Sequence, residues 1–301
     1  MNNLALKKSG TFRAITAALS AFLFIAINSM LIKLEEKSSA TIEWIVFIQY
    51  LTCLIIITII SSRNKFRDLR TGKAKYHIIR GVAGVLAFSF YVIAITKIPL
   101  VNAALLHNTA PIFIPVITLL WLKIKIDKKI WWGILTGLAG VVIILKPKLS
   151  FLIEPGDLFG LASGFILAIA YVALRVLTKT ESFKTILFYY SFIAVVLSMP
   201  FAINNWSNPP FQIWIYGILT GVFFMSYIFL LQYSYRFIEP IKLAPFNYSV
   251  VVFTGILDWI LFRYIPDLST VTGIILVTAG GILAITLHER DNKELKHHWH
   301  F

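Results

Sequence analysis

The sequence predicts an all-α polytopic membrane protein with ten transmembrane helices arranged as two inverted five-helix repeats. Three observations predict it: ten apolar runs that fill the chain, a cation bias between alternate loops, and a self-match under a 140-residue displacement. Of the 301 residues, 58% are hydrophobic and 14% charged. Water-soluble domains carry roughly 25% charged residues. A helix needs about 20 mostly apolar residues to cross the hydrocarbon core.

The runs cover approximately 14–32, 42–61, 79–96, 100–122, 130–146, 157–177, 184–203, 211–235, 241–262 and 267–287. Lys7, Lys8 and Arg13 precede the first run as they would a signal peptide, but the stretch is too long for a signal core and reads as the first span. The second run holds the only cysteine, Cys53, so no intramolecular disulfide is expected. In the fourth, Pro111 and Pro115 predict a kink that frees backbone carbonyls. The fifth, sixth and eighth carry glycines four apart: Gly133 with Gly137, Gly160 with Gly164, Gly217 with Gly221. Small residues at that spacing let helix backbones approach closely, and within apolar helices they are not phosphate cradles. Trp131, Trp132, Trp206 and Trp214 near span ends suit the membrane interface. The links Lys97–Val101 and Ile265–Leu268 hold only tight turns.

The net charge of +14 raises nucleic-acid binding, but the cations lie in loops between apolar runs, as orientation signals do. With the N-terminus inside, 22 Lys and Arg fall on the cytoplasmic side, including the Arg63–Arg80 loop, and six on the other. Both termini are therefore expected in the cytoplasm, with the chain in the cytoplasmic (inner) membrane of the cell.

A 140-residue displacement of the chain over itself aligns spans three to five with spans eight to ten without a gap. Gly81 meets Gly221, Ala104 meets Ala244, Phe113 meets Phe253, Gly133 meets Gly273 and Gly140 meets Gly280. Five spans is an odd number, so the second half must enter the membrane upside down, a plan shared by many secondary transporters. The expected organisation is one repeat over 1–147, an inverted one over 148–288 and a cytoplasmic tail over 289–301.

The stretches AITKIPLVNAALLHNTAPIFIPVITLLWL (94–122) and GILTGLAGVVIILKP (133–147) resemble the drug/metabolite transporter superfamily, EamA type. APFNYSVVVFTGILDWILFRYIPD (244–267) and GIILVTAGGILAI (273–285) resemble its C-terminal half. The resemblance implies ten helices, a central cavity between the halves and alternating access. Such halves often carry Gly-Glu after spans four and nine; here those places read Lys123-Ile124 and Arg263-Tyr264. A looser likeness, through ILFYYSFIAVVLSMP (186–200) and APFNY (244–248), is to S-adenosylmethionine uptake carriers.

Polar groups inside apolar helices are the candidates for solute contact, because each costs free energy in hydrocarbon unless it faces a cavity or another helix. His107 aligns with Asn247, Asn108 with Tyr248, and Thr118 with Asp258. On an unbroken helix His107, Pro111, Ile114 and Thr118 share one face, and Asn247, Val251, Thr254 and Asp258 the matching one. Asn28, Tyr91, Tyr171 and Tyr227 complete the expected substrate-binding set, with aromatic faces suited to a cation or a flat ring. The alternative for each is a hydrogen bond or packing contact between helices.

The expected function is a secondary carrier for a small metabolite of amino-acid, nucleoside-like or organic-cation type. No phosphate-binding loop suggests a pump, and no cluster of acids, histidines or nucleophiles suggests an enzyme. A membrane scaffold is the third class. No cofactor, metal or nucleic acid is expected; the partners are the solute and the lipid bilayer, and monomer or homodimer stays open. The histidines of the tail HHWH (297–300) read as solvated.

Overall fold

The computed structural model describes residues 2–38, 40–62, 69–123, 130–145, 154–206, 208–235, 244–280 and 282–283. The regular structure among them is entirely helical, as hydrocarbon requires of a backbone that must satisfy its own N–H and C=O groups. In order come α1 (Asn2–Lys37), α2 (Ile42–Ser62), α3 (Ala74–Lys97), α4 (Leu100–His107), α5 (Ala110–Leu122), α6 (Ile130–Leu145) and α7 (Pro155–Leu177). Then follow α8 (Phe183–Asn204), α9 (Phe211–Tyr235), a 3-10 turn (Ala244–Tyr248), α10 (Ser249–Phe262) and α11 (Leu268–Gly280).

Among the described residues six helices are long and apolar enough to cross a membrane: α1 from Phe12 onward, α2, α3, α7, α8, and α9 as far as Ser234. The remaining apolar runs lie on the shorter helices α4 with α5, α6, the 3-10 turn with α10, and α11. Large apolar side chains stand outward on these helices; Ile55, Leu120, Phe201 and Trp259 are each more than half exposed. Lipid is the solvent in which such a surface is stable, and the chain is a multi-pass membrane protein. The lysines and arginines at 63–68, 124–129, 146–153, 236–243 and 284–301, and the HHWH tail, lie outside the described residues.

The fourth run is not one helix. It breaks at Asn108 and Thr109, so the face expected to run from His107 through Thr118 is interrupted. The cause is local. Pro111 has no N–H to give the His107 carbonyl, whereas in the first turn of a helix that N–H is not needed, so a new helix starts at Ala110. The Asn108 amide donates to the Ala104 carbonyl at 2.7 Å, and the Thr109 hydroxyl to the Leu106 carbonyl at 2.6 Å, competing with the helix ladder. The ninth run likewise changes from 3-10 to α geometry at Tyr248–Ser249, the counterpart of Asn108–Thr109 under the 140-residue displacement.

A second correspondence closes the same two helices. Lys123 has φ of 54° and Arg263 has φ of 57°; they are the only non-glycine residues with positive φ among those described, and the same displacement carries one onto the other. The left-handed turn at Arg263 lets the Tyr264 N–H reach the Asp258 carbonyl at 3.3 Å. Glycine adopts this conformation without a Cβ clash, which explains the glycine that resembling sequences carry there. Lys123→Gly and Arg263→Gly should therefore each stabilise the fold by about 0.5–1 kcal/mol. Thermal melting in detergent checks this, and a lowered midpoint would contradict it.

The chain forms two compact units, each drawing on both sides of residue 148: one comprises 1–27, 111–153 and 223–301, the other 28–110 and 154–222. In the first, the aromatic rings of Phe22, Tyr227 and Phe224 meet, and Ile15, Ile25, Leu231, Phe246 and Phe253 pack around Ala18, Phe22 and Val250. Gly140 of α6 lies against Leu276 and Val277 of α11, and Gly280 of α11 against Gly137 and the Gly133 carbonyl of α6. Gly133 and Gly273 are both buried.

In the second unit α3 packs along α7 and α8, and α2 along α8. Ser182 caps α8 by accepting from the Thr185 N–H at 3.2 Å. Pro155 opens α7, with Asp157 in its first turn and Arg175 in its last, each matching the helix dipole. The glycine pairs lie at helix contacts as expected: Gly160 and Gly164 against α4 and Thr109, Gly217 and Gly221 against α2. Gly81 meets Ile193, and the Gly221 carbonyl accepts from the Cys53 thiol at 3.7 Å.

Candidate functional site

Polar side chains gather in the second unit, on five helices. The His107 ring at the end of α4 stacks on Tyr91 of α3, with centroids 4.4 Å apart and planes 26° from parallel. Its Nδ1 lies 3.0 Å from the Ser163 hydroxyl of α7. That hydroxyl donates its one proton to the Gly160 carbonyl at 2.6 Å, so it accepts from His107, and Nδ1 must carry the hydrogen. The neutral ring then presents a lone pair at Nε2. The Tyr91 hydroxyl donates to Ser29 Oγ at 2.9 Å, tying α3 to α1.

One residue along α1, the Asn28 amide nitrogen donates to the Thr220 carbonyl at 2.7 Å and to Gln49 Oε1 at 3.0 Å. The carbonyl of Thr220 needs a donor, which fixes the amide's orientation. Asn28 Oδ1 and Gln49 Nε2 are buried and have no hydrogen-bond partner among the described residues. An acceptor and a donor therefore stand unused in one buried cluster, where an unmade hydrogen bond costs about 1–3 kcal/mol. A polar solute can satisfy both.

Of the eight residues singled out from sequence, the second unit brings His107 and Tyr91 into contact, holds Asn28 in the cluster beside Ser29, and turns the Asn108 amide back onto its own helix. Tyr171 lies in that unit too, on α7. The first unit holds the other three. Tyr227 is part of its aromatic cluster, Asn247 is half-buried, and Tyr248 is buried with its hydroxyl unpartnered.

Gln49, Ser29 and Ser163 were not among the sequence candidates. Gln49 gives the same signal that marked Asn28, an amide inside an apolar run. Nothing in sequence distinguishes Ser163 from serines that merely bond their own helix. The Tyr50 and Tyr190 hydroxyls lie 2.6 Å apart, and their numbers differ by 140.

The fold and the buried polar groups are those of a helical multi-pass membrane protein, and comparison with known proteins gives that class its family. The sequence profile of the EamA-like transporter family matches residues 12–146 and again 154–286. The chain belongs to that family. It is 26% identical to the pseudopaline exporter of Pseudomonas aeruginosa, over 93% of this chain and 96% of that one. It is 26% identical to the S-adenosylmethionine uptake transporter of Rickettsia bellii, over 72% and 74% respectively. To the riboflavin transporter of Vibrio cholerae it is 22% identical, over 85% and 86%. A crystal structure at 17% identity superposes with a TM-score of 0.61, covering 94% of this chain and 98% of that one, which establishes the shared fold.

Proposed function

We propose that the chain is a secondary carrier for a small metabolite, working by alternating access in the cytoplasmic membrane. Ten spans form two inverted five-span halves with both termini cytoplasmic. One observation carries the reading: contacts are exchanged by the 140-residue displacement. Gly140 against Val277 becomes Gly280 against Gly137; Gly81 against Ile193 becomes Gly221 against Cys53; Tyr50 meets its own counterpart, Tyr190. Reciprocal contacts of this kind are what a two-fold relation between equivalent segments produces. The paired helix breaks, the paired left-handed caps and the two family matches support the same halves. A five-span half related to the next by a two-fold must be inverted, and inverted halves suit exchange between inward-open and outward-open states.

His107, Tyr91 and Asn28, with Gln49 beside them, are the solute groups we assign in the second unit, and Asn247 and Tyr248 those in the first. Asn108, Tyr171 and Tyr227 have supporting places. Transport rather than catalysis fits the family, and it fits a Ser163 hydroxyl that is committed to the Gly160 carbonyl. The relatives include an exporter and an uptake transporter, so direction follows from solute gradients and coupling, not from membership.

Liposomes containing the purified protein and loaded with a bacterial metabolite extract test the proposal. At least one solute should escape or exchange faster than from protein-free liposomes, read by mass spectrometry. Equal retention of every solute would defeat the carrier reading.

A further inference from the structure

The side chain of Arg80 is placed where a membrane protein has reason not to place one. It lies in the second turn of α3, near the start of a long apolar span. An arginine so near a helix end normally runs its stem back to the closer interface and keeps its head in water. Here the guanidinium goes the other way. Its Nη1 stands beside Gly84, one turn further into the helix, so close that a Cβ at Gly84 would sit 2.5 Å from it. The same absent Cβ makes room for the Tyr190 ring, and Arg80 Cζ lies 4.2 Å from that ring's centroid. Tyr190 is held in turn by the Tyr50 hydroxyl at 2.6 Å, with the two rings edge to face and Phe88 against Tyr50.

The charge has no counter-ion among the described residues. Nε and Nη1 of Arg80 are buried and make no hydrogen bond, and no described carboxylate comes within ion-pair reach. Glu35, also buried, leaves both of its carboxylate oxygens unpartnered, so the two groups do not neutralise each other. Burying a charge is tolerated when it is paired and hydrogen-bonded. Arg80 is half-buried, its guanidinium meets Tyr190 through the ring and a side-chain hydrogen bond, and its buried Nε and Nη1 are left unused.

We propose that Arg80 is an anion-binding group for the transported solute, and that the solute carries a carboxylate. The step rests on the carrier reading above. Guanidinium N–H groups match a carboxylate in a planar fork, which a lone ammonium cannot do. The guanidinium carries a single positive charge, which a single carboxylate matches. The counterpart of Arg80 under the 140-residue displacement is Thr220, so the charge belongs to one half only and gives the two-fold framework a direction for its ligand.

The test compares wild type, Arg80→Met and Arg80→Gln. Metabolite pools of cells expressing each identify the solute the wild type moves. Proteoliposomes then measure transport of that solute and of its analogue with the carboxylate converted to a primary amide, alongside melting temperature in detergent. The expected solute carries a carboxylate, its amide moves at least about tenfold more slowly, and both variants lose at least about tenfold in rate. Removing an uncompensated charge should meanwhile leave melting unchanged or raise it by about 2–4 °C. A solute without a carboxylate, equal transport of acid and amide, wild-type rates in both variants, or variants that melt low enough to explain their losses would each overturn the assignment. If the wild type itself moves nothing, the carrier reading fails first and takes this one with it.

Discussion

Gly140→Ala and Gly280→Ala should each destabilise the protein by about 2–3 kcal/mol, and leucine at both positions should leave no folded protein to purify. A Cβ on Gly140 would stand 2.8 Å from the Val277 backbone nitrogen and 2.8 Å from Leu276 Cβ. One on Gly280 would meet the Gly137 backbone, with the Gly133 carbonyl oxygen at 2.6 Å. These neighbours are backbone, so no side-chain rotation relieves the clash. The helices must separate, and separation opens every contact along α6 and α11 at once. In hydrocarbon the helices have no hydrophobic drive to close again, because lipid tails are as apolar as their side chains. Melting in detergent should fall by roughly 5–10 °C for each alanine. Gly72→Ala is the control, since an added Cβ there meets nothing within 4 Å and φ is not positive. Wild-type melting of the Gly140 or Gly280 variant would show that α6 and α11 are not in close contact.

That contact was half-legible in the sequence. The 140-residue displacement paired Gly140 with Gly280, and spacing marked Gly137 as a packing residue. What sequence alone could not supply is that each glycine of the pair faces the other's helix, since a repeat says which residues are equivalent and not which ones touch. Tyr50 and Tyr190 make the same point. They are equivalent by arithmetic, yet only folding brings an equivalent pair into one hydrogen bond.

Arg80 shows where the sign of a charge misleads. Counted with the Arg63–Arg80 loop it served as an orientation signal, because cations near span ends usually reach for water. Its direction is decided by Gly84, one turn on, which leaves a groove up the helix. The break after His107 was visible as a kink at Pro111, but the sequence reading carried a polar face through it. The competing bonds from Asn108 and Thr109 end α4 first. The contacts of His107 were beyond sequence, because Tyr91 lies on the helix before it and Ser163 on α7, well beyond it in the chain.

Ser163→Ala should lower transport per folded molecule roughly tenfold while folded yield falls little. The serine touches no predicted solute atom; it acts by holding His107. Its hydroxyl gives its proton to Gly160, which compels His107 to donate from Nδ1 and to keep the lone pair on Nε2. Alanine removes that constraint, and the ring is free to change tautomer or turn on its bond. His107→Ala removes the acceptor itself and should cost at least as much. Tyr91→Phe separates the two duties of the tyrosine. It deletes the hydroxyl that donates to Ser29 but keeps the ring stacked on His107, so transport should stay within about threefold of wild type. A purely structural cluster predicts another order. Each of these substitutions would then remove buried hydrogen bonds worth about 1 kcal/mol apiece, two at Ser163 and one at the Tyr91 hydroxyl, and yield, melting and transport would fall together for Tyr91→Phe as for Ser163→Ala. Rates normalised to folded protein separate the two, and wild-type rates in both Ser163→Ala and His107→Ala would remove His107 from the solute path.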